Sequence, residues 1–243
     1  MASSGHLTEL FIDGVRLSTG SFSLDLSIDT PQEDATTFQA AAASTVSMLN
    51  AATLEQNGYL TPSVSPRSLE AKLYAAVSAS GVVAALFGTA DAVCPAYVLP
   101  DADGSNVKIG AGQKLMTIGG KWNSGNLGIR RGKRIYQGSF TATGPLPGAD
   151  MGSAGSNGGT LYLFLYANTG APTNAQIKIQ SDSASNFATA VDHATITGIS
   201  DLKAFSATLT GVIGRYVRLN VLSMGGSSSL TAMAILCLNG VTM

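Results

Sequence analysis

Residues able to do chemistry are few and scattered in this 243-residue chain. Imidazole is offered only by His6 and His193. His6 lies in an N-terminal segment where fraying is the rule, and His193 stands in V-D-H-A-T-I, where a solvent-facing strand or turn residue is expected rather than a general base. There is no G-x-S-x-G, no H-E-x-x-H, no paired C-x-x-C and no P-loop. Gly110-Ala111-Gly112 lacks the third glycine of a dinucleotide fingerprint and reads as a turn. Asp101-Ala102-Asp103-Gly104 opens like a calcium loop. However, Asn106 stands where that loop needs glycine, and Gly112 where it needs a bidentate acid, so a plain D-G turn is expected. Cys94 and Cys237 are too few for a disulfide framework and read as two buried free thiols, with one long-range bridge left open. No catalytic, metal or cofactor constellation emerges, and a non-enzymatic protein without a cofactor is the expectation.

Composition points to assembly. Apolar residues make up 45% of the chain and charged residues only 12%, with 14 Lys and Arg against 15 Asp and Glu and a mean hydropathy of +0.23. So little charge protects a free monomer poorly, and much of the surface is expected to be covered by other subunits. A net charge of −1 argues against a nucleic-acid binder that works by bulk positive charge. The opening M-A-S-S-G-H-L-T-E-L lacks the basic and apolar regions of a signal peptide. Leu73 to Ala90 is uncharged but rich in Ala, Ser and Gly, and reads as a packed helix rather than a membrane span. No membrane association is expected.

The 28 glycines and 8 prolines punctuate a mainly β chain. L-F-I and V-R-L flank Asp13-Gly14, a strong local hairpin signal because both central residues need positive φ. Residues 21–29 (S-F-S-L-D-L-S-I-D) alternate strictly. Phe22, Leu24, Leu26 and Ile28 fall on one face, and Ser23, Asp25, Ser27 and Asp29 on the other. From Thr30 to about Asn50 the pattern dissolves into an arm. A strand around Thr53 to Leu60 follows. Ser65-Pro66 and the i, i+4, i+8 spacing of Leu69, Leu73 and Val77 predict a helix to about Ala79, then a short helical turn over Val82–Phe87. Strands are expected over 92–99, 114–122 and 134–143.

The Gly- and Pro-rich stretch 144–159 reads as a linker, which divides the chain into domains 1–143 and 160–243. Beyond it, six short apolar strands separated by small polar turns indicate a β-sandwich. The 25 residues from Leu219 carry no charge, so the last strands must be covered. Charge is uneven as well. Residues 1–35 hold six acids and one arginine, whereas 108–134 hold seven bases and no acid. These segments could meet within a subunit or between subunits, where they would set register more than affinity. Glu33, Asp34, Phe38, Arg130, Arg131, Lys133 and Arg134 are the candidate interface residues.

The order of parts from residue 7 to 143 resembles the tail tube (major tail) proteins of long, non-contractile-tailed bacteriophages. An F-I-D-G-V hairpin leads into S-F-S-L-D-L-S-I-D, then D-A-T-T-F-Q (Asp34–Gln39) introduces an arm. One helix (Ser68–Ala79) precedes the closing hairpin G-K-W-N-S-G-N-L-G-I-R-R-G-K-R-I-Y-Q-G-S-F. Further on, G-R-Y-V-R-L-N-V (214–221) is similar to a strand of galactose-binding-like, discoidin-type sandwiches. The resemblance implies a tail-tube-type β-sandwich or barrel domain with one packed helix and a long arm, followed by a jelly-roll-like β-sandwich that decorates it. It also implies stacked, hexameric rings in the virion tail, assembled in the host cytoplasm with partners such as the tape measure and the tail terminator. Genomic DNA would pass through the rings without specific binding. Under this resemblance Ser23, Asp25, Ser27 and Asp29 face the lumen, where hydroxyls and carboxylates let phosphate slide. Removing residues 158–243 is then expected to leave assembly intact. A capsid-decoration or head-fibre protein, and a carbohydrate-binding host-recognition module, are the alternative readings.

Overall fold

Phe11 pairs with Arg16 and Ile12 with Val15 across the two-residue turn Asp13-Gly14, whose φ angles are +41° and +79°. The expected hairpin therefore joins β1 (Leu7–Ile12) to β2 (Val15–Arg16). Glycine is required here for a second reason, because a Cβ at Gly14 would lie 2.5–2.7 Å from the backbone of Leu202 and Lys203. Gly14→Ala should cost roughly 1–3 kcal/mol from backbone strain alone, and more from the collision. A thermal or urea midpoint unchanged from the parent would refute this.

The computed structural model describes residues 7–17, 21–29, 32–34, 45–47, 51–59, 71, 80–88, 94–111 and 116–239. The described chain is almost entirely antiparallel β and divides into two units, each assembled from separate stretches. The helix expected over Ser68–Ala79 lies outside the described residues apart from Ala71, and none of the described helical residues forms a segment long and apolar enough to cross a membrane.

One unit combines residues 1–16, 84–97 and 131–243. Its strands are β1, β2, most of β7 (Gly81–Gly88), the start of β8 (Pro95–Ala111), β10 (Arg130–Phe140), β11 (Gly144–Pro145), β12 (Ala149–Asp150), β13 (Gly159–Thr169), β14 (Ala175–Asp182), β15 (Val191–Ile199), β16 (Ala204–Leu209), β17 (Tyr216–Ser223) and β18 (Ser229–Leu238). They form a sheet ordered β16-β13-β18-β10-β8-β7-β1-β2 and a second ordered β11-β17-β14-β15, with β12 also on β17. Leu161, Leu163, Leu165, Leu230, Ala232, Ala234 and Leu236 pack from the first sheet onto Ile177, Ile179, Val217, Leu219 and Val221 of the second. The other face of β13 is buried too: Phe164 is fully enclosed, 5.9 Å from Phe11 between ring centres. Burial on both faces is why β13 and β18 read as continuous apolar runs and why the C-terminal stretch has no charge.

The second unit combines residues 17–83 and 98–130. Its sheet runs β3 (Ser21–Asp29), β6 (Ala51–Tyr59), β9 (Met116–Asn123) and the latter part of β8. A small separate ladder joins β4 (Gln32–Asp34) to β5 (Thr45–Ser47).

Three local expectations are corrected. Val82–Phe87 is not a helical turn but the middle of strand β7, because Val83–Leu86 are all buried and a short apolar run between glycines suits a strand buried on both sides. Asp101-Ala102-Asp103-Gly104 is not a turn either: it lies inside β8, and the chain absorbs the irregularity as a bulge between Gly104 and Asn106. The 144–159 stretch lies within one unit rather than between two. β11 and β12 pair with β17, Ala149 and Met151 are buried, and Gly155 exchanges hydrogen bonds with Ile213. Its glycines and prolines serve tight turns along a sheet edge. Cys94 and Cys237 are both buried thiols, not joined by a disulfide.

Candidate functional site: a polar sheet face

Alternation in β3 is continued across the sheet by the register of its neighbours. Ser23 stands opposite Asn57, Asp25 opposite Glu55, Ser27 opposite Thr53 and Asp29 opposite Ala51. β9 extends the rows with Asn123 beside Thr53, Lys121 beside Glu55 and Gly119 beside Asn57. β8 ends them with Asp103, Asn106 and Lys108. Side chains bind along these rows: Asn57 Nδ2 donates to Ser23 Oγ at 3.1 Å, and Thr53 Oγ1 donates to Asn123 Oδ1 at 3.2 Å. Lys121 Nζ lies 3.2 Å from Glu55 Oε1, and both side chains stay substantially in water. That ion pair offsets the unfavourable placement of Asp25 directly across from Glu55. Asp25, Ser27, Asp29, Asp103 and Lys108 are exposed, and Ser23 is half-buried.

The reverse face is core over β6 and β9 but not along β3, where Leu24 and Leu26 are half-buried and Ile28 is 47% exposed. Ala52, Leu54, Gln56, Ile118 and Trp122 are buried, which gives β6 its regular alternation of exposed and buried residues. Gly119, bare between Asn57 and Lys108, leaves a shallow polar depression rimmed by Glu55, Asn57, Asn106 and Lys108. A Cβ there would lie 2.5 Å from Asn57 Oδ1. The face thus carries Asp25, Asp29, Glu55 and Asp103 against Lys108 and Lys121, a net acidic, hydroxyl- and amide-bearing surface. Sequence reasoning found its first strand but missed its continuation in Thr53, Glu55, Asn57, Asp103, Lys121 and Asn123. The signal was the alternation in β6, obscured by buried Gln56 and by Gly58.

The candidate interface residues sit in different settings. Glu33 and Asp34 lie in the β4–β5 ladder, paired by register with Val46 and Thr45. Phe38 lies outside the described residues. Arg131 is exposed and Arg130 half-buried. Lys133 Nζ donates to the Met151 carbonyl at 2.6 Å. Arg134 is buried, bonded to Gln137 and 4.0 Å from Glu9 Oε2, while Gln137 Nε2 donates to that same oxygen at 2.8 Å and Arg16 binds Glu9 Oε1. Here acid from the N-terminal segment and base from the basic run meet within one chain.

His193 is not simply solvent-facing. Its Nε2 lies 2.7 Å from Ser181 Oγ, but Ser181 is only 2% exposed and its oxygen also accepts from the Gly214 N–H at 2.8 Å. A serine so enclosed has no room for a substrate carbonyl, and the pair is a structural tie. Among the described residues no group of three or more His, Cys, Asp or Glu side chains could hold a metal ion.

No family model matches the sequence, and no curated protein matches it. Among solved structures, the chain is similar to the Dit protein of phage SPP1, described as a paradigm of the hub of the adsorption apparatus in phages infecting Gram-positive bacteria. Identity there is 10% over 95% of this chain and 98% of that one, with a TM-score of 0.30. A component of the phage P2 baseplate in its activated conformation with calcium matches over 94% of this chain and 98% of that one, at 9% identity and a TM-score of 0.33. A component of the anti-feeding prophage baseplate covers 54% of this chain and 94% of its own, at 9% identity and a TM-score of 0.34.

Proposed function

We propose that this chain is a structural protein of a bacteriophage tail, in which copies close into a ring, most simply of six, around a channel that DNA crosses. The observation carrying this reading is the continuous polar face described above. It is net acidic and rich in hydroxyl and amide groups, suited to a surface over which polyphosphate slides rather than sticks. Its first strand, β3, is paired on one side only among the described residues, by β6. An edge of that kind is a natural seat for the next subunit, and repeated head-to-tail contacts close into a ring when the rotation divides a full turn. The order of motifs over residues 7–143 supports the same reading. Other tail proteins, the tape measure and tail terminator among them, are the partners this role requires. The ring stands in the virion tail, and its assembly belongs to the host cytoplasm. No cofactor and no catalytic step enter.

Asp25→Lys combined with Asp29→Lys tests the assignment. Both side chains are exposed, so the double variant should fold with stability within about 0.5 kcal/mol of the parent. Virions carrying it should eject DNA more slowly, since two cations on the wall of every subunit would hold phosphate. Ejection at the parental rate from virions of normal morphology would remove these residues from the channel.

A further inference from the structure

We propose that Ser181, His193, Thr210 and Gly214 form an acid-sensitive tie that holds the end of β14, the bulge of β15 and the 210–215 loop together in the sandwich. In this tie the Thr210 backbone bonds the imidazole, and we assign the ring proton to the nitrogen away from Ser181. In the neutral ring the other nitrogen, Nε2, is then a lone pair, to which the Ser181 hydroxyl donates at 2.7 Å. Ser181 Oγ in turn accepts from the Gly214 N–H at 2.8 Å. Every polar group in this circuit is satisfied in one protonation state. The loop sits tightly on β14, since a Cβ at Gly214 would lie 2.4–2.9 Å from the Asp182 backbone.

Protonation breaks the circuit. Imidazolium offers a hydrogen at Nε2, so Ser181 Oγ must accept from both His193 and Gly214, and its own hydrogen loses its acceptor in a buried position. The charged groups around the ring do not rescue it. Asp192, on the same strand, is engaged by Lys178 at 2.8 Å and Gln180 at 2.7 Å. On β14, Asp182 is committed to the Ala184 and Thr189 amides. Arg215, beside Gly214, forms a fork with Asp150 at 2.8 and 2.7 Å, and Arg218 on β17 donates to Gln180 at 2.9 Å and stacks on Phe187. Burial therefore outweighs the Thr210 backbone hydrogen bond and Asp192, and holds the imidazole below its ordinary range. The unfolded chain binds this proton first. The tie's contribution is full above about pH 6.5, is lost as pH falls below that value, and levels off once the folded ring is itself protonated.

The test uses the full chain, whose only imidazoles are His6 and His193. Imidazole ¹⁵N NMR against pH should show the His193 ring with its proton on the nitrogen away from Ser181 and a titration midpoint below the ordinary value of about 6.5. Amide exchange at Gly214, corrected for intrinsic rate, should accelerate at least about tenfold once that ring is protonated, and His193→Gln should abolish the step. A proton on Nε2 at pH 8, a His193 midpoint at or above about 6.5, or unchanged Gly214 protection across the titration would each overturn the proposal. The parent measurement stands even where the variant fails to fold.

Discussion

A chain ended after residue 157 is expected to be insoluble, not a free ring-former. The sequence places a linker at 144–159 and so makes the C-terminal part look removable, but one unit is built from residues 1–16, 84–97 and 131–243 together. β10 is zipped to β18 from Lys133 to Phe140, and β13 lies on the far side of β18 from Gly159 to Thr169. Truncation strips β13, β16 and β18 from the sheet and the whole of β14, β15 and β17 from the layer covering it. Leu161, Leu163, Phe164, Leu165, Ile177, Ile179, Leu219 and Leu236 disappear from the core, and Phe11 loses the Phe164 and Tyr166 rings packed against it. At about 1.5–3 kcal/mol for each fully buried side chain, the loss exceeds the roughly 5–15 kcal/mol that stabilises a whole domain. Soluble yield and far-UV circular dichroism decide the matter. A soluble, β-rich truncated chain that still forms rings would show that residues 131–157 fold without their C-terminal partners.

Glu9→Ala should cost the same unit about 3–5 kcal/mol, far more than the loss of an exposed ion pair. Glu9 is buried, and its two oxygens receive Arg16, Gln137 and the approach of Arg134, itself only 7% exposed. Without the carboxylate, Arg134 keeps its charge in a dry site from which the Glu9 counter-charge has gone, and that loss dominates the cost. Glu9→Gln, which retains an acceptor, should lose less. Urea denaturation monitored by circular dichroism gives both values. A cost under about 1 kcal/mol for Glu9→Ala would mean that water reaches Arg134 in the native state. The same network takes Arg134 out of contention for a contact between subunits and leaves Arg131 as the exposed member of the four bases between 130 and 134.

Local signals carried much of the fold. Asp13-Gly14 specified the hairpin because positive φ at both positions is a local demand, and β3 was readable as a strand from its strict alternation, although its apolar face is only partly packed, with Ile28 exposed. The strands of 160–243 were readable as elements for the same reason, bounded by small polar turns. What failed was information that lives in pairing. Val82–Phe87 forms a strand only because neighbours bury it on both sides, and Asp103-Gly104 continues a strand because β9 pairs alongside it. Nothing local in 144–159 announces β17 as its partner, and nothing in residues 1–16 says that they join residues 131–243. The polar face was half legible: Ser23 to Asp29 stood out, while Glu55, Lys121 and Asp103 join them only through register across four strands.

The most direct test of the central claim is cryo-electron microscopy of the purified chain, concentrated and with a tail-tip complex to initiate assembly. The account predicts hollow rings or stacked tubes in which the strand carrying Ser23, Asp25, Ser27 and Asp29 lines the channel. Rings with that strand on the outer wall, or particles that stay monomeric at every concentration with the initiator present, would contradict it.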